Sequence, residues 1–144
     1  MITVKILDKE YELFVSTHAY EQIGEMCGGI RHLAEWLKGD DRTEQLSRVL
    51  DIMLIELNAA IIRDNYKRKL GELDGTDKPL FDRDMLAAVI SMSDLAVMAK
   101  SVLAAFAEGQ NYEIPEGVKV TKKDVDSTLA EIYEKREKNA GSGE

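Results

Sequence analysis

The sequence predicts an α+β protein that is mostly α-helical, an N-terminal β-hairpin packed on a bundle of about five to six helices. Three observations carry that prediction. Apolar residues alternate with polar ones from Ile2 to Val15 and thereafter recur at intervals of three and four. Only two prolines and 6% aromatic residues in 144 positions favour helices over a β-sandwich. The helical segments open on capping residues or close on glycines.

Ile2, Val4 and Ile6, then Tyr11, Leu13 and Val15, read as two strands joined through Asp8, Lys9 and Glu10. Two strands alone are marginal in water, so one face must lie on helices. Ser16 or Thr17 caps a helix carrying Ala19, Tyr20, Ile23, Met26 and Cys27 on one side, and Gly28 and Gly29 end it. Ile30, Leu33, Ala34 and Leu37 predict a second short helix, closed by Gly39.

Asp41 and Glu44 form an acidic capping box for a long helix reaching Lys69 or Glu72. Leu46, Val49, Leu50, Met53, Leu54, Leu57 and Ile61 make one apolar stripe along it. Ile52, Ile55, Ala59, Ile62 and Tyr66 make a second, with Asp51, Asn58, Glu56 and Arg63 as its polar edges. A surface helix needs one apolar face, so the second is either further core or a protein interface. It is the candidate interface of the chain, for a client helix or for a homo-oligomer.

Gly75 to Pro79 form a loop. Phe81, the cap Asp82 and Leu86 have the spacing of a hydrophobic staple, and Ser91 with Asp94 starts a separate helix that Gly109 stops. Residues 1–110 thus form the hairpin and helical core domain. Residues 111–120 around Pro115 are expected to be a linker, 121–138 an amphipathic helix and 139–144 a disordered tail. The stripe Val125, Leu129, Ile132 and Tyr133 is a candidate docking surface, whether onto the chain's own body or onto a partner.

A net charge of −8, spread along the chain, leaves no broad basic field for nucleic acid or anionic lipid. No apolar run reaches the roughly 18 residues of a membrane span. The N-terminus has no cationic leader, and the lone Cys27 has no disulfide partner, so the chain is expected to be cytoplasmic.

No nucleophile with its base, ligand cluster or phosphate loop is legible, so neither catalysis nor a metal or cofactor is expected. His18, Cys27 and His32 match no familiar metal spacing, and Cys27 reads as a small buried hydrophobe. Gly28 and Gly29 lack the lysine and hydroxyl residue of a phosphate loop. Arg63, Lys67, Arg68 and Lys69 complement the dipole of the long helix or face an acidic partner. Trp36 is either an interface anchor or core.

Taken in order, the hairpin with Asp8-Lys9-Glu10-Tyr11-Glu12-Leu13, the helix carrying Tyr20, Ile23 and Met26 to Gly28, the long helix, Ser93-Asp94-Leu95, Val102-Leu103 and Ala107-Glu108-Gly109 resemble the tail assembly chaperones of long-tailed bacteriophages. The resemblance covers roughly residues 1–110. It implies a protein made in the infected host cytoplasm that binds the tape-measure protein before tail-tube subunits polymerise around it, with tail-tube subunits as a further possible partner, and that is absent from the mature virion. Such families often make a longer frameshifted product, and this chain would be the shorter one. The resemblance assigns no individual functional residue. Two rival readings of the same features are a structural tail component and a small helical adaptor or regulator of the antitoxin type.

Overall fold

A computed structural model describes residues 1–110. The linker expected over 111–120, the helix over 121–138 with Val125, Leu129, Ile132 and Tyr133, and the tail over 139–144 lie outside the described residues. Alternation at the N-terminus yields β1 (Ile2–Ile6) and β2 (Lys9–Leu13), an antiparallel pair with Ile2 opposite Leu13 and Ile6 opposite Lys9. That register leaves Leu7 and Asp8 as the turn. Leu7 has φ of 56°, a left-handed conformation costing a leucine about 1–2 kcal/mol.

Five α-helices follow among the described residues, α1 (Thr17–Cys27), α2 (Leu33–Lys38), α3 (Arg42–Lys69), α4 (Arg83–Val89) and α5 (Met92–Gly109). The Ser16 hydroxyl accepts from the Ala19 N–H at 3.0 Å, which starts α1, and Gly28 ends it with φ of 76°. Where the spacing predicts one helix from Ile30 to Leu37, Ile30–His32 is a 3-10 turn and only Leu33–Lys38 is α-helical. The His32 N–H donates to the Gly29 carbonyl at 2.9 Å, an i to i+3 bond that tightens this entry.

α3 is the axis of the fold. Its 28 residues begin where the Asp41 carboxylate accepts from the Glu44 N–H at 2.8 Å, and β2, α1, α2, α4 and α5 all pack on it. Leu46, Val49, Leu50, Met53 and Leu57 of the first stripe are buried, while Leu54 and Ile61 at its edges are half-buried. They meet Ile23 from α1, Leu86 from α4 and Val102 from α5 in one continuous core.

α4 and α5 are distinct, as their caps predict. Asp82 accepts from the Met85 N–H at 3.1 Å, and the Ser91 hydroxyl from the Asp94 N–H at 3.1 Å. Gly109 does not stop α5 by a left-handed turn; it is the helix's last residue, and its role is proximity. A Cβ there would lie 2.6 Å from Cβ of Val15.

Between α3 and α4 the chain returns along α3 in an extended path held by two side-chain amides. Asn58 accepts from the Phe81 N–H at 2.8 Å and donates to its carbonyl at 3.0 Å. Asn65 makes the same pair of bonds with Lys78, at 2.8 and 3.0 Å. Phe81 then packs edge-on against Tyr11 of the hairpin, ring centroids 5.0 Å apart.

Candidate protein-binding groove

The second stripe divides along α3. Ile52 is fully buried in the chain's own core and leaves the candidate interface, because its side of α3 is covered by the rest of the core. Ala59 is also buried, Ile55 is half-buried, and Ile62 and Tyr66 are 38% and 60% exposed. Apart from Ile52, the stripe lines an open groove of about 280 Å³ whose other wall is Phe14 with Ser16, His18, Ala19 and Gln22 at the start of α1. The surface it exposes is mostly apolar, although Ser16, His18, Gln22, Asn58 and Arg63 are among its lining residues.

One wall is fixed by ionic contacts. Arg63 donates to both carboxylate oxygens of Glu12 at 2.6 Å and through Nε to Asp64 at 3.0 Å, while its guanidinium lies 4.7 Å over the Phe14 ring. The Phe14 N–H in turn donates to the Glu56 carbonyl at 3.2 Å. Hydrogen bonding from Arg63 holds the Glu12 carboxyl below its usual range, and donating those bonds to Glu12 pushes the Arg63 pKa upward. Bidentate pairs of this kind combine strength with fixed orientation, so Phe14 is presented rigidly.

The expected basic cluster is therefore engaged mostly within the chain. Arg63 belongs to the hairpin contact, Arg68 donates to Asn65 at 2.7 Å and to the Asp74 carbonyl at 3.3 Å, and Lys69 lies 3.9 Å from Asp77. Lys67 makes no ion pair among the described residues. Trp36 is half-buried beneath the Arg48 guanidinium, 5.0 Å from its ring centroid, and Arg48 also bonds to the Trp36 carbonyl. It closes one edge of the core and does not enter the groove.

His18 and Cys27 sit at opposite ends of α1, an 11-residue helix about 16 Å long, so these ligand types do not converge. The Cys27 thiol donates to the Gly29 carbonyl at 3.1 Å, and burial pushes its pKa up.

Sequence reasoning misplaced Glu56. Read as the rim of the second stripe, it is fully buried, and neither carboxylate oxygen has a hydrogen-bond partner. Desolvation pushes its pKa up to about 9, so the carboxyl is protonated near neutral pH. Spacing alone does not separate Glu56 from Asp51 and Arg63, which lie between the same two stripes and stay partly exposed. Compared with known proteins, the chain matches no family model, no curated protein and no solved structure.

Proposed function

We propose that this protein is a non-enzymatic phage tail assembly chaperone, which holds an amphipathic helix of the tape-measure protein in the α1–α3 groove while tail-tube subunits assemble. One observation carries the reading: Ile55, Ala59, Ile62 and Tyr66 line a groove that the described chain leaves open, at the 3-4 spacing of a helix seam. Helix-in-groove recognition uses anchors at i, i+3, i+4 and i+7, and α3 offers its floor in that rhythm. At about 280 Å³ the groove lies at the lower edge of the range of small-molecule sites. The order of motifs over residues 1–110 supplies the phage half of the reading.

The energetics suit a reversible hold. Each exposed aliphatic side chain that a client helix buried on this floor would contribute about 1.5–3 kcal/mol, and association itself removes several kcal/mol of the sum.

Co-expression with a phage tape-measure protein, the long coiled-coil-rich product this reading expects from a neighbouring gene, tests this. The pair is expected to co-purify, and Ile62→Asp is expected to separate it while leaving the melting temperature unchanged, since Ile62 is already exposed. Peptide mass analysis of purified particles should lack this chain; its presence would identify a structural component instead. Stable pairing with one small neighbouring gene product in place of the long one would identify an adaptor or regulator.

A further inference from the structure

The hairpin has one covered edge and one bare one. Among the described residues β1 and β2 pair only with each other, and Ile6 opposite Lys9 closes the turn between them. In an antiparallel ladder closed by a two-residue turn, the residues that exchange hydrogen bonds alternate along each strand. Ile6, Val4 and Ile2 therefore bond to β2, while Lys5 and Thr3 turn their N–H and C=O groups outward. The same alternation turns Phe14 outward just past β2, where its N–H donates to the Glu56 carbonyl of α3. β1 has no such cover: among the described residues the main-chain groups of Thr3 and Lys5 have no hydrogen-bond partner.

Beside that bare edge an open groove of about 580 Å³ separates β1 from α5, lined by residues of both and by none of β2. Asp94, Val97, Met98 and Ser101 recur at i, i+3, i+4 and i+7, so they share one flank of α5 and make the floor. Val97 is 78% exposed on it. A strand bonded to β1 would lie about 4.8 Å to its side, over this floor. Its side chains opposite Ile2, Val4 and Ile6 would share the inward face of the buried Val4 and Ile6 and cover Val97 and Met98. Those opposite Thr3 and Lys5 would face outward. Lys5 is exposed and makes no ion pair among the described residues, so an acid opposite it is favoured. A second copy pairing β1 with β1 would bring its own α5 beneath the added strand. Paired strands lie about 4.8 Å apart, whereas packed helices need about 8–10 Å, so a lone strand fits where a second copy does not.

We propose that the outer edge of β1 takes up an extended segment of a partner protein as a third, antiparallel strand, apolar at alternate positions and acidic opposite Lys5. Main-chain bonds to Thr3 and Lys5 hold it, and the flank of α5 selects its inward side chains. This edge shares no lining residue with the α1–α3 groove, so it is a second binding surface and does not rest on the proposed client helix.

A nuclear magnetic resonance titration of the full chain with the peptide acetyl-VEVTV-amide tests it. Saturable shifts of the Thr3 and Lys5 amide signals are expected, with slower hydrogen exchange at both. Methylating the second and fourth peptide nitrogens, whose N–H groups face β1, should abolish binding. Methylating the third, whose N–H faces away, should leave it unchanged. Lysine in place of the peptide's glutamate should weaken binding about threefold. Lys5→Pro removes an outward N–H without touching the ladder to β2, so it should keep the wild-type melt and lose the peptide. Ile62→Asp should bind the peptide as wild type does, which separates failure of this edge from failure of client binding. No binding by wild type, equal binding of the peptide methylated at its second and fourth nitrogens, or binding by a folded Lys5→Pro variant would each overturn the proposal. So would Thr3 and Lys5 amides already protected before peptide is added. Protection independent of concentration would assign the edge to the chain's own remaining residues, and protection that grows with concentration to a second copy.

Discussion

The Glu56 side chain combines complete burial with a carboxyl that has no hydrogen-bond partner, and the proton it keeps ties the stability of the fold to pH. The folded chain holds that proton up to about pH 9, whereas the unfolded chain releases it near 4.5. Between those values the folded state binds more protons than the unfolded state, so stability falls as pH rises, by at most about 1.4 kcal/mol per pH unit. Thermal melts should therefore show a higher melting temperature at about pH 5.5 than at about pH 8, and Glu56→Gln should flatten the dependence. Glu56→Leu should raise stability at about pH 8 by roughly 1–3 kcal/mol, since a buried polar group without a partner gives way to an apolar one. Glu12 acts in the opposite sense: its pKa is lowered by Arg63, so its contribution is present above the ordinary 4.5 and lost as pH falls through its folded value. The two effects occupy different windows, and the first is read cleanly between about pH 5 and pH 8.

Among the elements, those set by neighbours within four residues were legible and those set across the chain were not. The Asp41 cap of α3, the Ser91 break before α5 and the alternation of β1 are local, and each stands where the residues place it. The pairing of Arg63 with Glu12 spans 51 residues and that of Asn58 with Phe81 spans 23, distances over which periodicity carries no information. The same limit hid the split in the second stripe. Ile52 and Ile62 share a spacing pattern, and only the packing of other helices around one end of α3 separates core from surface. Ile52→Asp should accordingly unfold the protein in a circular dichroism melt, whereas Ile62→Asp should fall within about 0.5 kcal/mol of wild type. Gly109 supplies a second contrast. Helix propensity alone favours Gly109→Ala by up to about 1 kcal/mol, but the contact with Val15 reverses the sign. Gly109→Ala should destabilise, and Val15→Ala should relieve part of the loss in a double-mutant cycle of chemical denaturation.

At the scale of the molecule, the net charge of −8 favours repulsion between copies, while the α1–α3 groove exposes a mainly apolar lining. Salt should tell the two kinds of force apart. Raising ionic strength to about 1 M shortens the Debye length to about 3 Å, so capture of an apolar helix in the groove should be unchanged in a binding titration, whereas a marked loss of affinity would show that charge and not apolar contact holds the client.

The paired bonds from Asn58 and Asn65 seize main-chain groups of Phe81 and Lys78 and ignore their side chains. Beyond the second of these grips, residues 71–77 are all exposed and no buried side chain depends on them. Chain inserted after Thr76 would therefore lie outside both grips, and each doubling of the loop would cost only about 0.6 kcal/mol in closure entropy. The tip of this loop is a natural port for a guest segment, such as an affinity tag or a fluorescent reporter, that leaves the rest of the described fold undisturbed.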